Sequence, residues 1–180
     1  MVTTLDTERL TLRPFQPNDA IDLYDYAKRP EVGPNAGWNP LKSMEESQSV
    51  VARFIDQGDT WAIEHKPTKR MIGSIGLHLH TDLKGRLYHE LGFALSPDYQ
   101  GYGYMNEAVN AVLYHAFMDK DIAVVKVYHF MDNLKSERVI QRLGFIYDQT
   151  VVYQTVSTGE KIAKSYHLTQ KEYKDKKGIK

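Results

Sequence analysis

The sequence predicts an α/β domain. Two stretches with period-two hydrophobicity, at 70–80 and 87–95, precede a run at 104–118 whose apolar residues recur every three or four positions, and a β-branched, aromatic stretch at 123–130 returns to strand character. The length of 180 residues favours one domain, assigned to 1–170, with a basic tail at 171–180. At this size about 70% of the unfolded chain's surface is buried on folding. The 42% of hydrophobic residues supply a core without disulfide or metal staples.

Taken in order, Arg9 to Pro14 alternates as a first strand with Leu10 and Leu12 inward, ended by Pro14 and Pro17. Ala20, Ile21, Leu23, Tyr24 and Ala27 mark a helix that stops before Pro30. Pro30 to Pro40 holds three prolines, two glycines, two asparagines and Trp38. It reads as a long loop, the kind of segment that carries function. Ser43 and Glu46 form a capping-box pattern ahead of a helix with Met44, Gln48, Val51, Phe54 and Ile55 on one face, ending at Gly58.

Residues 60–64 and 70–80 pair as strands across the Lys66 to Lys69 turn. Strict alternation sets Met71, Ile75, Leu77 and Leu79 on one face, with Ile72, Ser74, His78 and His80 on the other. After a turn at Lys84-Gly85, Leu87 to Leu95 repeats the alternation: Leu87, His89, Leu91, Phe93 and Leu95 oppose Tyr88, Glu90, Gly92 and Ala94. Asp132 or Asn133 caps a short helix carrying Ser136, Val139, Ile140 and Leu143 before Gly144. Residues 151–156 and 163–168 form a terminal hairpin, and Lys171 to Lys180 reads as a solvated tail.

Composition narrows function. Lys plus Arg (23) balance Asp plus Glu (23), and the pI is near 7.1. No global field recruits nucleic acid or an anionic membrane. No cysteine is present, which removes thiolate zinc sites and cysteine nucleophiles and fits a reducing compartment, the cytosol by default. The N-terminal residues carry neither a basic region nor an apolar run, so no signal peptide or membrane anchor is expected. His78-x-His80 places two imidazoles on one strand face, yet such pairs are mostly polar surface, and no metal is expected.

The segment Leu95 to Ala108 joins a strand to an amphipathic helix through Gly101 and Gly103. These glycines allow positive φ and uncovered backbone N–H groups, to which the helix start adds free N–H groups and its dipole. The turn is either a tight strand–helix connection or an anion cradle fitted to a phosphate or pyrophosphate. A P-loop is absent. Asn106 stands where a dinucleotide fold wants a third glycine.

With these residues the chain resembles the GNAT acetyltransferase superfamily, and within it the branch of ribosomal-protein N-terminal acetyltransferases (RimJ/RimL-like). The matching segments are Thr7 to Pro14, Ile72 to Leu77, Glu90 to Phe93, Gln100 to Tyr104 with Glu107-Ala108, and Asn133 and Ser136 ahead of Leu143-Gly144-Phe145. The resemblance implies the GNAT acyl-CoA N-acyltransferase fold, a mixed, mostly antiparallel twisted sheet flanked by helices. It also implies acetyl-CoA as co-substrate and direct acetyl transfer to a primary amine, on a protein N-terminus or a small molecule. A coenzyme-sensing module without turnover is the alternative, and the family's frequent dimerisation leaves a homodimer open.

By the same resemblance, Leu95, Ser96, Gln100, Gly101, Tyr102, Gly103, Tyr104 and Met105 hold the coenzyme, with Asn133 and Ser136 at its thiol end. The strand at 87–95 is expected to splay from that at 123–130 to admit it. Position 105 is small in most of the family; Met105 also lies on the helix's apolar stripe, which predicts that it packs inward and leaves the N–H groups free. Asn133 serves either the coenzyme or only the helix cap. Many relatives carry a tyrosine acid where this chain has Ile140, so Ser136 is the remaining matched donor near the sulfur. Glu90 is the candidate base, its competing role being a strand carboxylate paired with Arg or Lys, and main-chain N–H near Ala94 or Leu95 is the candidate oxyanion donor. His89 falls on the core side. Asn35 and Trp38, in the long loop, are the candidate acceptor contacts.

Overall fold

The computed structural model describes residues 2–82 and 84–179. Met1 and Lys180, which open and close the predicted domain and tail, and Leu83 lie outside the described residues. In chain order the elements are β1 (Leu5–Asp6), β2 (Leu10–Pro14), α1 (Asp19–Ala27), α2 (Gly33–Ala36), α3 (Met44–Gln57), β3 (Thr60–His65), β4 (Met71–Thr81) and β5 (Leu87–Leu95). A 3-10 turn at Pro97–Tyr99 leads to α4 (Tyr104–Tyr114), which runs into a π-helical turn at His115–Asp119. Then follow β6 (Val124–Phe130), α5 (Leu134–Leu143), β7 (Ile146–Gln154), β8 (Glu160–Thr169) and α6 (Gln170–Lys177).

The strands form one sheet in the order β1-β2-β3-β4-β5-β6-β8-β7, antiparallel except for β5 beside β6. A parallel pair needs a long crossover, and α4 supplies it. This is the mixed, mostly antiparallel sheet that the resemblance implies.

Alternation on β3 divides the apolar interior between two faces. Trp61 and Ile63 join Leu10, Leu12 and the α4 residues Ala108, Val109 and Val112, with Ile140 and Leu143 of α5. Ala62 faces the other way, onto Leu23, Tyr26 and Ala27 of α1 and Val51 of α3. On β4 the expected alternation breaks. A register shift between Ile63 and Glu64 places Met71 with the α1 and α3 cluster, while Ile72, Ile75 and Leu77 all lie in the α4 cluster. One extra residue in a strand inverts the faces on either side of it, which is why period two alone misassigned Ile72.

The β5–β6 pairing covers only His89↔Val125, Glu90↔Lys126 and Leu91↔Val127, whereas β5 stays paired with β4 to Leu95 and β6 stays paired with β8 to Phe130. The two strands therefore part after Leu91 and leave a slot. The Ser96 N–H bonds the Ile72 carbonyl, so by strict alternation the main-chain groups of residues 90, 92, 94 and 96 point to β4. Those of Phe93 and Leu95 point into the slot.

Two local expectations change. Ser43 caps α3 by accepting the Glu46 N–H at 3.3 Å, but the Glu46 carboxylate accepts the N–H of Lys42 at 2.7 Å and does not close a box on Ser43. The segment after Thr169 is not a solvated tail: Thr169 and Glu172 form a full capping box that starts α6. Tyr173 is buried there, its ring 5.0 Å from that of Phe117. Tyr173→Ala should cost about 3 kcal/mol, the scale for emptying a buried aromatic site. Denaturant titration would register this as a lower midpoint with an unchanged slope.

Candidate active site

The slot opens beside a cavity of about 240 Å³. Strand β5 presents Glu90, Gly92 and Ala94 to it, β6 presents Tyr128 and Phe130, and Ser136 reaches it from the first turn of α5. Asn35, on the short α2 that interrupts the expected long loop, and Trp38 just after it line the same space as the candidate base and donor. The loop is held over the cavity by three ties. The Asn133 amide donates to the Asn35 carbonyl at 3.0 Å, Lys161 to the Pro34 carbonyl at 2.8 Å, and the Val156 N–H to the Gly37 carbonyl at 3.1 Å. The Asn133 side-chain oxygen accepts the Ser136 N–H at 3.1 Å. Asn133 is thus both the α5 cap and a strut for the loop.

At the far end of the slot, Gly101 and Gly103 adopt φ of 89° and 83°. In this left-handed region a side chain costs roughly 1–2 kcal/mol. Among the described residues, the backbone N–H groups from Gly101 to Asn106 donate to no protein acceptor, and Glu107 is the first to bond back, to the Gly103 carbonyl at 3.1 Å. A Cβ placed on Gly101 meets nothing within 4 Å, so no neighbouring group packs against the turn there. Met105 is buried in the α4 cluster, which leaves its N–H uncovered as the apolar stripe predicts. Gln100 ties the turn to both walls: its amide donates to the Leu95 carbonyl at 3.1 Å, and its oxygen accepts from Lys135 of α5 at 2.7 Å. Ser96 is buried beneath, Tyr102 is exposed, and the Tyr104 hydroxyl is 3.0 Å from His65 Nε2. A run of free N–H groups at a helix start fits a diphosphate.

The N-terminal segment fixes this turn in place. Glu107 accepts from the Thr7 hydroxyl at 2.6 Å, the Arg9 N–H at 2.8 Å and Arg9 Nε at 2.7 Å. Arg9 Nη1 donates to the Tyr102 carbonyl at 3.0 Å, and the guanidinium lies 4.6 Å from the centre of the Tyr104 ring. Burial by itself raises the Glu107 carboxyl, but the hydrogen bonds from Thr7 and Arg9 and the Arg9 charge outweigh it and hold the group below its usual range.

Glu90 contacts no Arg or Lys among the described residues. The Tyr153 hydroxyl of β7 donates to Glu90 Oε1, and His80 Nε2 is 3.8 Å from Oε2. Burial, then the Glu90 charge, pushes the Tyr153 phenol far up, so Tyr153 remains the donor and Glu90 the acceptor. Burial also raises the neighbouring Tyr128 phenol, whose ring centre is 5.0 Å from that of Tyr153. His89 is not among the cavity residues; burial and the nearby His80 hold its imidazole below the usual range, neutral at pH 7. His78 is paired with Asp59 at 2.7 Å and His80 stacks on Tyr88 with 5.5 Å between ring centres. The His-x-His pair therefore faces separate neighbours. Of the two main-chain donors considered, Leu95 faces the slot and Ala94 faces β4, which removes Ala94.

Tyr153, Tyr128, Arg53 and Lys135 also belong to this region and were not singled out by sequence. Tyr153 meets Glu90 across 63 positions, and no spacing rule links them. Arg9 did carry a signal, in the Thr7 to Pro14 segment of the resemblance.

Residues 9–146 match the family model described as an acetyltransferase (GNAT) domain. The protein belongs to the GNAT acetyltransferase family. It is 28% identical over 150 residues to the uncharacterized N-acetyltransferase YoaA of Bacillus subtilis, covering 81% of this chain and 84% of that one. Two solved structures share its fold. Ribosomal-protein-S5-alanine acetyltransferase from Vibrio fischeri superposes with a TM-score of 0.73 at 18% identity, over 96% of this chain and 99% of that one. Spermidine N-acetyltransferase from Vibrio cholerae, in complex with CoA and spermine, gives 0.75 at 19% identity, over 93% and 99%. GNAT acetyltransferases use acetyl-CoA, and no helix among the described residues is long and apolar enough to cross a membrane.

Because the Glu107 carboxyl titrates lower in the folded state than its ordinary 4.5, its contribution to stability is complete above that value. It is lost as pH falls through the depressed folded pKa. Glu107→Gln should lose stability at neutral pH and show a flatter stability profile below pH 4.5 than the parent. Thermal melts across that range test the sign.

Proposed function

We propose that the protein moves the acetyl group of acetyl-CoA directly to a primary amine, and that a polypeptide α-amine, as in the ribosomal-protein branch, is the acceptor class this site serves with least assistance. The observation that carries the reading is the continuity of three features: the free N–H groups at 101–106, the slot where β5 and β6 part, and the Glu90 cavity. A reducing compartment such as the cytosol fits a chain without cysteine.

In this reading Gly101 to Met105 hold the diphosphate through main-chain donors and the helix dipole, and Gln100 braces the turn through its side chain. Leu95, Ser96, Asn133 and Ser136 bound the slot that leads inward. Acetyl-CoA supplies an activated thioester when bound. Glu90 takes the proton of the incoming ammonium on a carboxylate oxygen, with Tyr153 fixing Oε1. The Leu95 N–H is aimed to stabilise negative charge on the reacting carbonyl oxygen, and Ser136 offers a hydroxyl near the sulfur. Asn35 and Trp38 cover the acceptor and exclude water.

Magnitudes favour the α-amine. With a pKa of about 7.7 to 8 it is roughly 10–20% neutral near pH 7, whereas a lysine at about 10.4 is neutral well below 1% of the time. A carboxylate base therefore has much less to do for an N-terminus. The inward packing of Met105 leaves the cradle unobstructed, which supports coenzyme binding.

Gly103→Val should abolish the rise in melting temperature on adding acetyl-CoA, through strain at positive φ and an altered turn. An unchanged thermal shift sinks the cradle. Glu90→Gln should keep that thermal shift and lower kcat about 10²- to 10⁴-fold, the range for losing a general base. Rapid turnover at saturating substrates would remove Glu90 from the chemistry.

A further inference from the structure

The acceptor cavity contains two unlike charges that do not meet. Glu90 lies on its β5 wall, 14% exposed at the side chain. Arg53 reaches it from α3, exposed, next to the Phe54 ring at 5.8 Å from the ring centre. Among the described residues Arg53 forms no ion pair and donates no hydrogen bond, while the other arginines that steady the fold near this end of the sheet do. Arg13 is held by Asp19 and Glu64, Arg29 by Asp98 and Arg70 by Asp22.

The two histidines that line the cavity already have partners. His78 is on Asp59. His129 is on the Phe130 carbonyl at 2.9 Å and the Tyr166 hydroxyl at 3.3 Å. The same cavity is lined by the aromatic residues Trp38, Phe54 and Tyr128. A ligand that filled this space with a cationic group at both ends would set one of them against Arg53. A ligand with no anionic group would displace water from a guanidinium and give it nothing in return.

We infer that the acceptor is an amine that also carries a carboxylate: its ammonium is directed to Glu90 and its carboxylate to Arg53, within the one cavity that both line. Guanidinium and carboxylate pair in a two-point, charge-assisted geometry, which makes Arg53 the specificity-determining residue at the mouth. The inference rests on the proposed acetyl transfer and narrows its substrate class. The carboxylate has two sources with the same chemistry. It is either the C-terminus of an amino acid or very short peptide, or an acidic side chain close behind a polypeptide's α-amine.

The test compares acceptors at fixed saturating acetyl-CoA, with thiol release as readout. The panel is a free aromatic dipeptide, the same dipeptide amidated, an amidated peptide with Asp as its second residue, and a diamine. At least one carboxylate-bearing acceptor should show a KM ten-fold or more below that of the amidated dipeptide. The free dipeptide or the Asp peptide leading the panel identifies the source. Arg53→Ala should bring the acid and amide KM values within two-fold of each other, and Arg53→Glu should turn the preference towards the diamine. Equal KM values in the parent for the amidated dipeptide and both carboxylate-bearing acceptors, or a preference that survives Arg53→Ala, overturns the inference while leaving acetyl transfer standing. No turnover of any amine, together with no thermal shift from acetyl-CoA, overturns the underlying reading as well.

Discussion

The parting of β5 and β6 after Leu91 is the constraint on which the rest of this molecule depends. A sheet interior rarely leaves main-chain donors and acceptors unpaired, because each costs about as much as a lost hydrogen bond. Here the N–H and C=O groups of Phe93 and the N–H of Leu95 are turned to a slot instead of a neighbouring strand. The break is stable because each strand keeps its other partner: β5 stays on β4, and β6 stays on β8. The core beneath is continuous, with Leu91, Val125 and Val127 all buried among the α4 residues. The opening is thus confined to the end of the sheet, where α4 and α5 both begin. The free N–H groups at the start of α4 and those turned into the slot thus lie in one region.

Electrostatics at the two ends of that region are arranged oppositely. At the glycine turn, Glu107 sits inside the first turns of α4 and binds Arg9, so the local carboxylate is neutralised before any anion arrives. The N–H groups from Gly101 to Asn106 then act without a competing negative charge facing them. In the cavity, Glu90 pairs with no Arg or Lys among the described residues, and the nearest ring nitrogen of His80 is 3.8 Å away. The carboxylate is held by a phenol whose own proton is made difficult to lose. A carboxylate bound by a neutral donor keeps its charge available to an incoming cation, whereas one bound by Lys or Arg does not. The distinction separates the structural carboxylate from the candidate catalytic one in this chain.

Much of this was readable in the sequence, for identifiable reasons. Strand β5 was bounded at Leu87 and Leu95, and its alternation placed Glu90 on the cavity face, because period two is rigid wherever no extra residue intrudes. Asn133 and Gly144 bracketed α5 because cap chemistry is local. On β4 the same alternation failed at Ile72, where the register shift opposite β3 is a property of two strands and is not written in one. Helix α6 was masked by its lysines. Its start signal, Thr169-x-x-Glu172, was present, and one buried aromatic, Tyr173, was enough to dock it. The Tyr153 contact with Glu90 and the isolation of Arg53 were beyond reach. Each depends on which chain segments the sheet order β6-β8-β7 and the α3 docking bring to one cavity.

The absence of a tyrosine at position 140 becomes understandable from the same geometry. Ser136 and Ile140 are one turn apart on α5 and share a face. That face enters the cavity at Ser136 and the hydrophobic core at Ile140, which is 1% exposed. The phenol nearest the proposed chemistry comes instead from β7, and it is committed to Glu90. Its proton is held too tightly to assist a leaving group, but it is well placed to hold a base. A thiol with a pKa near 8.5 leaves with little protonic help, whereas an ammonium must lose its proton before it can attack. In the proposed reaction the harder proton transfer is on the amine side, where Tyr153 holds Glu90, while Ser136 offers a hydroxyl on the sulfur side.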